Sequence, residues 1–352
     1  MNEADILARC VNQINALPGV QAELRTTEVA RLNRRLDAEV TIRHDGRRWD
    51  CILEIQKNMT GPIARHFRNT IVHQTLPQET LIICADYVRE TAANELMYQG
   101  VNYVDAVGNM FLNLPEGPYV IMTGKKPVNI AGKEPGLLFQ PTGIKIIYLL
   151  LLLPDALNWT YREIAKAAGV ARGSVGWVFT DLKKDGYVQL VSKNARKLVE
   201  RQKLLDRWLG GYTEKLRPKL IRGRYRAREM DFGVLLRNAG NVFKDYHVNW
   251  AATGTQAADL LIHHYQGDEL VLFVDEWNLE LEAALGWLPD ADGPITILEA
   301  FGDRVIDKTI NNTPITTPLL TYAELLVLRN ERARETADIL FRKLIQETFS
   351  ED

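Results

Sequence analysis

The sequence is poor in cysteine and has no apolar run of membrane-spanning length. Cys10, Cys51 and Cys84 are its only cysteines, and their spacing suits neither a metal site nor a disulfide framework. The longest run of apolar or near-apolar residues, Ile144 to Leu153 with Lys145 inside it, is about half the length that a transmembrane helix needs. The N-terminal residues MNEADILARC predict an amphipathic helix and no signal peptide. We therefore expect a soluble cytoplasmic protein without a membrane partner.

Patterns for catalysis and for cofactor binding are also missing from the sequence. His263 and His264 are adjacent, so they do not share the helical face that a metal pair requires. The segments NAGN (238–241) and TGTQ (253–256) lack the strand–loop–helix context of a phosphate-binding loop. No Ser/His/Asp or Cys/His arrangement can be argued. The sequence thus predicts no catalytic residue, no metal and no cofactor.

Charge is distributed unevenly along the chain, although its net charge is only −2. Residues 161–230 contain 18 Lys and Arg against 7 Asp and Glu, whereas residues 231–352 contain 9 against 21. The basic block is densest in KLRPKLIRGRYRAR (215–228). It indicates contacts with nucleic-acid phosphates, and its alternative is a solvated run of charges. The acidic block either binds a basic partner or keeps the protein soluble.

The segment from Thr160 to Gly186 has the pattern of a helix-turn-helix. Thr160 and Glu163 are spaced as a capping box, and Gly169 suits the left-handed turn that ends a first helix. A second helix from about Ala171 has an apolar face and an opposite polar and basic face. The apolar face contains Val175, Val178, Phe179 and Leu182, and the opposite face contains Gly173, Trp177, Thr180 and Lys184.

The flanking residues extend this pattern to a winged helix. Tyr187–Val191 predicts a strand, 192–197 a basic turn, and Leu198–Val199 a return strand or the start of a helix, while Gly143–Pro154 supplies a buried first helix. The expected function is binding of duplex DNA. The alternative is a helical hairpin without a nucleic-acid role.

The N-terminal residues predict an α/β domain with acids at the positions of a nuclease core. Two strands, 38–43 and 49–56, join at an Asp45-Gly46 turn. Asp37 or Glu39 could be a first metal-binding acid and Glu54 a second, but Gln56 occupies the position where the Asp…Glu-x-Lys motif has its lysine. We expect an inactive, restriction-endonuclease-like domain. The alternatives are an active nuclease and a hairpin with scattered surface charges.

Together these patterns predict an α+β multidomain chain. Its expected parts are a nuclease-like α/β domain (1–123), a linker (124–140), a winged helix-turn-helix (141–200), a basic connector (201–230) and an acidic mixed α/β domain (231–352).

Three parts of the sequence resemble one family. They are GVNYVDAVGNMFL (100–112), YREIAKAAGVARGSVGWVFTDLKKDGYV (161–188), and the pair WAATGTQAADLL (250–261) with PLLTYAELL (318–326). This arrangement resembles the AbiE-type (AbiEi) antitoxin regulators of bacterial type IV toxin–antitoxin systems, in the branch with a nuclease-like domain ahead of the winged helix.

The resemblance implies a non-enzymatic repressor of its own operon, which also neutralises a nucleotidyltransferase toxin directly or indirectly. The implied partners are operator DNA, on which the protein could be a homodimer, and the toxin. The DNA-binding residues carried over by position are Arg172, Ser174, Trp177, Thr180 and Lys184 of the second helix and Lys193, Arg196 and Lys197 of the wing. The alternatives are a metal-dependent nuclease that a winged helix targets to DNA, and a scaffold whose winged helix contacts proteins.

Overall fold

The computed structural model describes residues 3–31, 34–56, 59–67, 80–126, 137–191, 195–229, 231–328 and 330–349. The chain folds into two compact units, 1–132 and 133–352. Both combine helices with a seven-stranded sheet, which confirms the α+β class. Within the described residues, no helix is long and apolar enough to cross a membrane.

The first unit is an α/β sandwich built on one mixed sheet. Its elements are α1 (Glu3–Asn15), β1 (Gln21–Arg31), β2 (Arg34–His44), β3 (Arg47–Gln56), α2 (Gly61–Phe67), β4 (Thr80–Ala85), α3 (Glu90–Tyr98), β5 (Asn102–Asp105), β6 (Met110–Asn113) and β7 (Tyr119–Met122). The strands lie in sequence order, with β3, β4 and β5 mutually parallel and the remaining neighbours antiparallel.

The two faces of this sheet carry separate cores because side chains alternate along each strand. Leu53 and Ile55 of β3 pack in the core that includes α1. Ile52 of the same strand packs in the core that includes α2 and α3. The expected hairpin between β2 and β3 is confirmed, with positive φ at Asp45 and Gly46.

The segment 100–112 forms a turn organised by one buried carboxylate. Asp105 accepts hydrogen bonds from the backbone amides of residues 107 to 109 at 2.8–3.0 Å and from the amide of Val88 at 3.0 Å. The Asn109 side chain adds a fifth bond of 2.7 Å. The Asp-x-x-Gly-Asn part of this motif therefore has a structural role: it joins β5 to β6 and fixes Val88, two residues before α3.

The second unit begins with three helices and a short hairpin, here called the α4–β9 segment. It contains α4 (Pro141–Leu152), α5 (Tyr161–Ala168), α6 (Arg172–Lys184), β8 (Val188–Leu190) and β9 (Arg196–Leu198). The remaining elements are α7 (Arg201–Gly211), a π-helical turn (Tyr212–Leu216), α8 (Arg217–Leu220), β10 (Ile221–Arg226), α9 (Phe232–Asp245), β11 (Trp250–Thr253), α10 (Gly254–Ile262), β12 (Leu270–Val274), α11 (Leu279–Leu285), β13 (Leu288–Pro289), β14 (Ile295–Glu299), β15 (Ile306–Ile310), β16 (Thr313–Thr316), α12 (Pro318–Val327), α13 (Glu331–Leu344) and α14 (Gln346–Phe349).

The C-terminal sheet has the order β13-β10-β14-β12-β11-β16-β15 and is covered on both faces. Phe273 and Leu298 point to a core shared with α10, α12, α13 and the α4–β9 segment. Leu272 and Ile297 point to a second core with α9 and α11. The α4–β9 segment and the C-terminal sheet therefore form one folded body.

Residues 201–230 are part of this body, which corrects the expectation of a connector between domains. Trp208 of α7 stacks on Tyr148 with ring centroids 5.7 Å apart and donates a hydrogen bond from Nε1 to the carbonyl of Ile144 at 3.0 Å. The strand β10 lies inside the sheet, between β13 and β14. Much of the expected linker 124–140, at 127–136, lies outside the described residues.

Candidate nucleic-acid interface

The helix α5 begins and ends as its sequence predicts. The Thr160 hydroxyl accepts a hydrogen bond from the Glu163 amide at 3.3 Å, and the Glu163 carboxylate accepts one from the Thr160 amide at 2.8 Å. Both bonds satisfy amides that a helix start leaves without partners. The bond from the Thr160 amide, together with one from the Thr160 hydroxyl at 2.8 Å, lowers the pKa of the Glu163 carboxyl. At the other end, Gly169 has a φ of 63°, which closes the helix and directs the chain into α6.

The helix α6 buries one face and exposes the other. Val175, Val178, Phe179 and Leu182 are buried, and the Phe179 ring lies 5.3 Å from that of Tyr161 on α5. The opposite face contains exposed Arg172, Trp177, Thr180 and Lys184, together with half-buried Ser174. Trp177 is 65% exposed, which is unusual for so large an apolar side chain.

The β8–β9 hairpin presents its basic residues unequally. The Arg196 guanidinium lies 5.3 Å from the centre of the Phe179 ring, and its backbone amide donates to Asn158 Oδ1 at 2.8 Å. Arg196 is therefore half-buried and held against α6, whereas Lys197 is exposed. Lys193 lies outside the described residues. The apolar side chains Leu190 and Val191 are 58% and 66% exposed.

Several basic residues of the α4–β9 segment have no acidic partner. In the part of the chain that the structure describes, no ion pair engages Arg162, Lys166, Arg172, Lys184 or Lys197, and all five are exposed. They belong to α5, α6 and the hairpin. We call them the unpaired basic set. Their charges are available for anions in solution.

The stretch 215–228 differs from the unpaired basic set, because acids of the C-terminal part pair with three of its seven basic residues. Arg222 pairs with Glu299, and Arg226 lies 3.9 Å from Asp290. The best-buried pair is Arg217 with Glu324, whose side chains are 15% and 1% exposed. These three arginines are called the paired basic set. The charge count of the whole basic block therefore overstates what is free for phosphates.

The pair of Arg217 and Glu324 is a buried network with a third member. Arg217 Nε donates to both carboxylate oxygens at 2.9 Å, and the Tyr212 hydroxyl donates to Glu324 Oε1 at 2.5 Å. Burial opposes the charge on Arg217, but the negative charge of Glu324 outweighs it and raises the pKa of Arg217. Burial and the same carboxylate raise the pKa of Tyr212 well above its usual value. The network joins the π-helical turn to α12.

The candidate nuclease residues of the first unit are brought near one another without forming a metal cluster. Asp37 Oδ2 accepts a hydrogen bond from the Ile55 amide at 2.7 Å. Glu54 and Gln56 are each 4% exposed and share the sheet face of Ile52, while Glu39 pairs with Ile52 across the strands. Among the described residues, no three His, Cys, Asp or Glu side chains are grouped so that they could hold a metal ion.

Comparison with known proteins assigns the C-terminal part of the chain. Residues 197–346 match the family described as "Transcriptional regulator, AbiEi antitoxin, Type IV TA system". The match covers less than half of the chain, and this part is similar to the AbiEi antitoxins. No curated protein and no solved structure matches the chain.

The AbiEi match covers the C-terminal sheet and its helices, with the motifs at 250–261 and 318–326. In the structure these motifs meet through three buried hydroxyls. Thr316 donates to Thr253 at 2.8 Å and shares a hydrogen bond of 2.9 Å with Thr321. These two hydrogen bonds fix the starts of α10 and α12 beside each other. The motifs therefore stabilise the fold of residues 197–346, here called the AbiEi-type segment.

Proposed function

We propose that the α4–β9 segment is a winged helix-turn-helix and binds duplex DNA in the operator of its own transcription unit. The observation that carries this proposal is the exposed face of α6. Its residues Arg172, Trp177, Thr180 and Lys184 are exposed, and none of them forms an ion pair within the described residues. The regulator description of the matched family supports the same conclusion.

The geometry of α6 suggests how the roles divide. A recognition helix enters the major groove with its N-terminal residues nearest to the bases, which favours Arg172 and Ser174 as groove contacts. Trp177 can pack against a thymine methyl group, and Thr180 keeps hydroxyl lone pairs for base edges while it donates to the Gly176 carbonyl at 2.9 Å. Lys184 and the hairpin residues Lys193, Arg196 and Lys197 would contact phosphates, which position the protein without reading sequence.

We further propose that the chain is the antitoxin of a type IV system and neutralises a nucleotidyltransferase toxin, directly or indirectly. The family assignment of 197–346 supports an antitoxin role, and the resemblance of the whole chain supports the toxin class. The acidic C-terminal part is the better candidate for this role because its charge does not suit DNA. We also propose a homodimer on a palindromic operator, because helix-turn-helix proteins commonly bind two half-sites as dimers.

Binding of the full chain to its upstream DNA tests the first proposal. Fluorescence anisotropy should show specific binding with a steep salt dependence, and Arg172→Ala with Lys184→Ala should weaken it strongly. Each lost phosphate contact reduces the slope of log K against log salt by about 0.9. Wild-type protein that binds the upstream duplex no better than a scrambled one, even at low salt, would contradict the proposal.

The same double variant separates repression from neutralisation. Cells that express the toxin from an independent promoter should still be protected by the Arg172→Ala, Lys184→Ala protein at matched levels. Both substitutions lie on exposed surface, so the C-terminal fold remains intact. Loss of protection together with loss of DNA binding would show that one surface performs both tasks.

For the first unit we propose a nuclease-like domain that does not cleave. Its support is the placement of Asp37 and Glu54 on adjacent strands, with Gln56 where a lysine would be needed to polarise water. Plasmid and RNA should stay intact when incubated with the protein and Mg²⁺ or Mn²⁺. Metal-dependent cleavage that Glu54→Ala abolishes would establish the alternative, a nuclease targeted by a winged helix.

A further inference from the structure

A loop of the C-terminal sheet packs directly against the turn between α5 and α6. The loop follows β14 and runs from Phe301 to Val305. The Asp303 amide donates a hydrogen bond to the Ala167 carbonyl at 2.9 Å. Gly302 and Gly169 are in backbone contact, since a Cβ atom on Gly169 would lie 2.7 Å from the Gly302 nitrogen. Both glycines have a φ of 63°, so side chains are disfavoured there by conformation as well as by space.

The loop 301–305 is held in place by contacts with α4. Phe301 and Val305 are buried at its two ends, and the Phe301 ring lies 5.4 Å from that of Tyr148 on α4. The Tyr148 hydroxyl donates to the Arg304 carbonyl at 2.9 Å and shares a hydrogen bond of 2.7 Å with Thr317. The backbone of Arg304 is therefore fixed relative to the α4–β9 segment.

The side chain of Arg304 is exposed and has no function in the fold. No ion pair or hydrogen bond of this side chain occurs within the described residues. The position is unusual in charge as well, because the sequence contains no lysine or arginine from Asp245 to Asp303. Arg304 is the first lysine or arginine after this stretch, and it lies in the loop that packs against the turn between α5 and α6.

We infer that Arg304 contacts a DNA phosphate and extends the DNA-binding surface from the α4–β9 segment onto the AbiEi-type segment. The inference rests on the proposed DNA binding. In a helix-turn-helix, the first helix crosses the backbone of the duplex and the second enters the groove, so residues beside the turn lie along the phosphates. Arg304 follows Gly302 by two residues, which keeps their Cα atoms within about 7.6 Å. Lys166 and Arg172 flank the same turn and are also exposed.

The acidic residue next to Arg304, Asp303, weakens the proposed phosphate contact and offers a second variant for testing it. Asp303 is exposed and precedes Arg304, so its carboxylate would repel the phosphate that Arg304 attracts. Asp303→Asn retains the backbone amide that bonds to Ala167 and removes only the charge. It should strengthen DNA binding about twofold to threefold, in the opposite direction from Arg304→Ala.

The test measures anisotropy of the full chain on operator and scrambled duplexes over a range of salt concentrations. Arg304→Ala should weaken binding to both duplexes about fivefold and reduce the salt slope by about 0.9, as expected for one phosphate contact. Arg304→Lys should restore most of the affinity. The matched control is Arg237→Ala on α9, which removes the same charge from an exposed site on the opposite face of the C-terminal sheet. It should change the affinity less than twofold.

The outcomes distinguish this inference from the proposed function. If Arg172→Ala weakens binding while Arg304→Ala behaves like Arg237→Ala, the Arg304 contact is refuted and the winged helix remains. If Arg304→Ala loses affinity without a change in salt slope, the phosphate contact is also refuted. If neither Arg172→Ala nor Arg304→Ala affects binding, both the inference and the proposed interface are wrong.

Discussion

Two sets of basic residues in the second unit carry charge of the same sign but differ in their surroundings. The unpaired basic set lies on α5, α6 and the hairpin, exposed and without acidic partners. The paired basic set, Arg217, Arg222 and Arg226, contacts acids that are 64 to 107 positions away in the sequence. The difference shows that a basic block in a sequence can contain both a binding surface and an internal counter-charge. Only the fold separates the two.

The largest expected effect is on stability and concerns the buried member of the paired set. Glu324→Ala leaves the Arg217 guanidinium and the Tyr212 hydroxyl without their acceptor in a buried site. Removing one partner of a buried pair typically costs about 3–5 kcal/mol. We expect a loss of this size in the free energy of unfolding, measured by urea denaturation.

The matched control for this substitution is Glu280→Ala, an exposed acid on α11. It should change the free energy of unfolding by less than about 0.5 kcal/mol, as is usual for a surface position. A Glu324→Ala protein as stable as this control would show that the Arg217 network is dispensable. The paired set would then differ from the unpaired set in position but not in its role in the fold.

The sequence predicts those features of the second unit that depend on neighbouring residues. The capping box of Thr160 and Glu163 and the turn at Gly169 depend on residues within ten positions, and the structure has both. The apolar run of β12 also suffices to predict a buried strand. Each of these patterns determines its structure without knowledge of the rest of the fold.

The part that the sequence does not predict depends on distant partners. The strand β10 alternates basic residues with Ile221, Gly223 and Tyr225, but its pairing partners β13 and β14 follow it by more than sixty residues. The ion pair of Arg217 and Glu324 and the contact of Gly169 with Gly302 likewise join remote segments. A charge count therefore indicates phosphate contacts for all of 215–228, since nothing local marks the acids that pair with Arg217, Arg222 and Arg226.

A smaller effect is expected for Trp177, which tests whether the unpaired set frames a sequence-reading face. Trp177→Ala removes an exposed apolar ring and no charge. Base contacts determine specificity while phosphate contacts do not, so the affinity for operator DNA should fall about tenfold and that for scrambled DNA less than twofold. The salt slope should stay unchanged. Equal losses on both duplexes would mean that the ring does not read bases.

The smallest effect is expected for Arg226, the most exposed member of the paired set. Its side chain is 64% exposed, and Asp290 lies 3.9 Å away. An exposed pair of this length contributes at most about 0.5 kcal/mol, so Arg226→Ala should barely change the free energy of unfolding. Because Asp290 already offsets its charge, DNA affinity should change less than twofold and the salt slope by less than about 0.3. A slope reduced by a full contact would place Arg226 on the DNA and move the boundary between the two basic sets to β10.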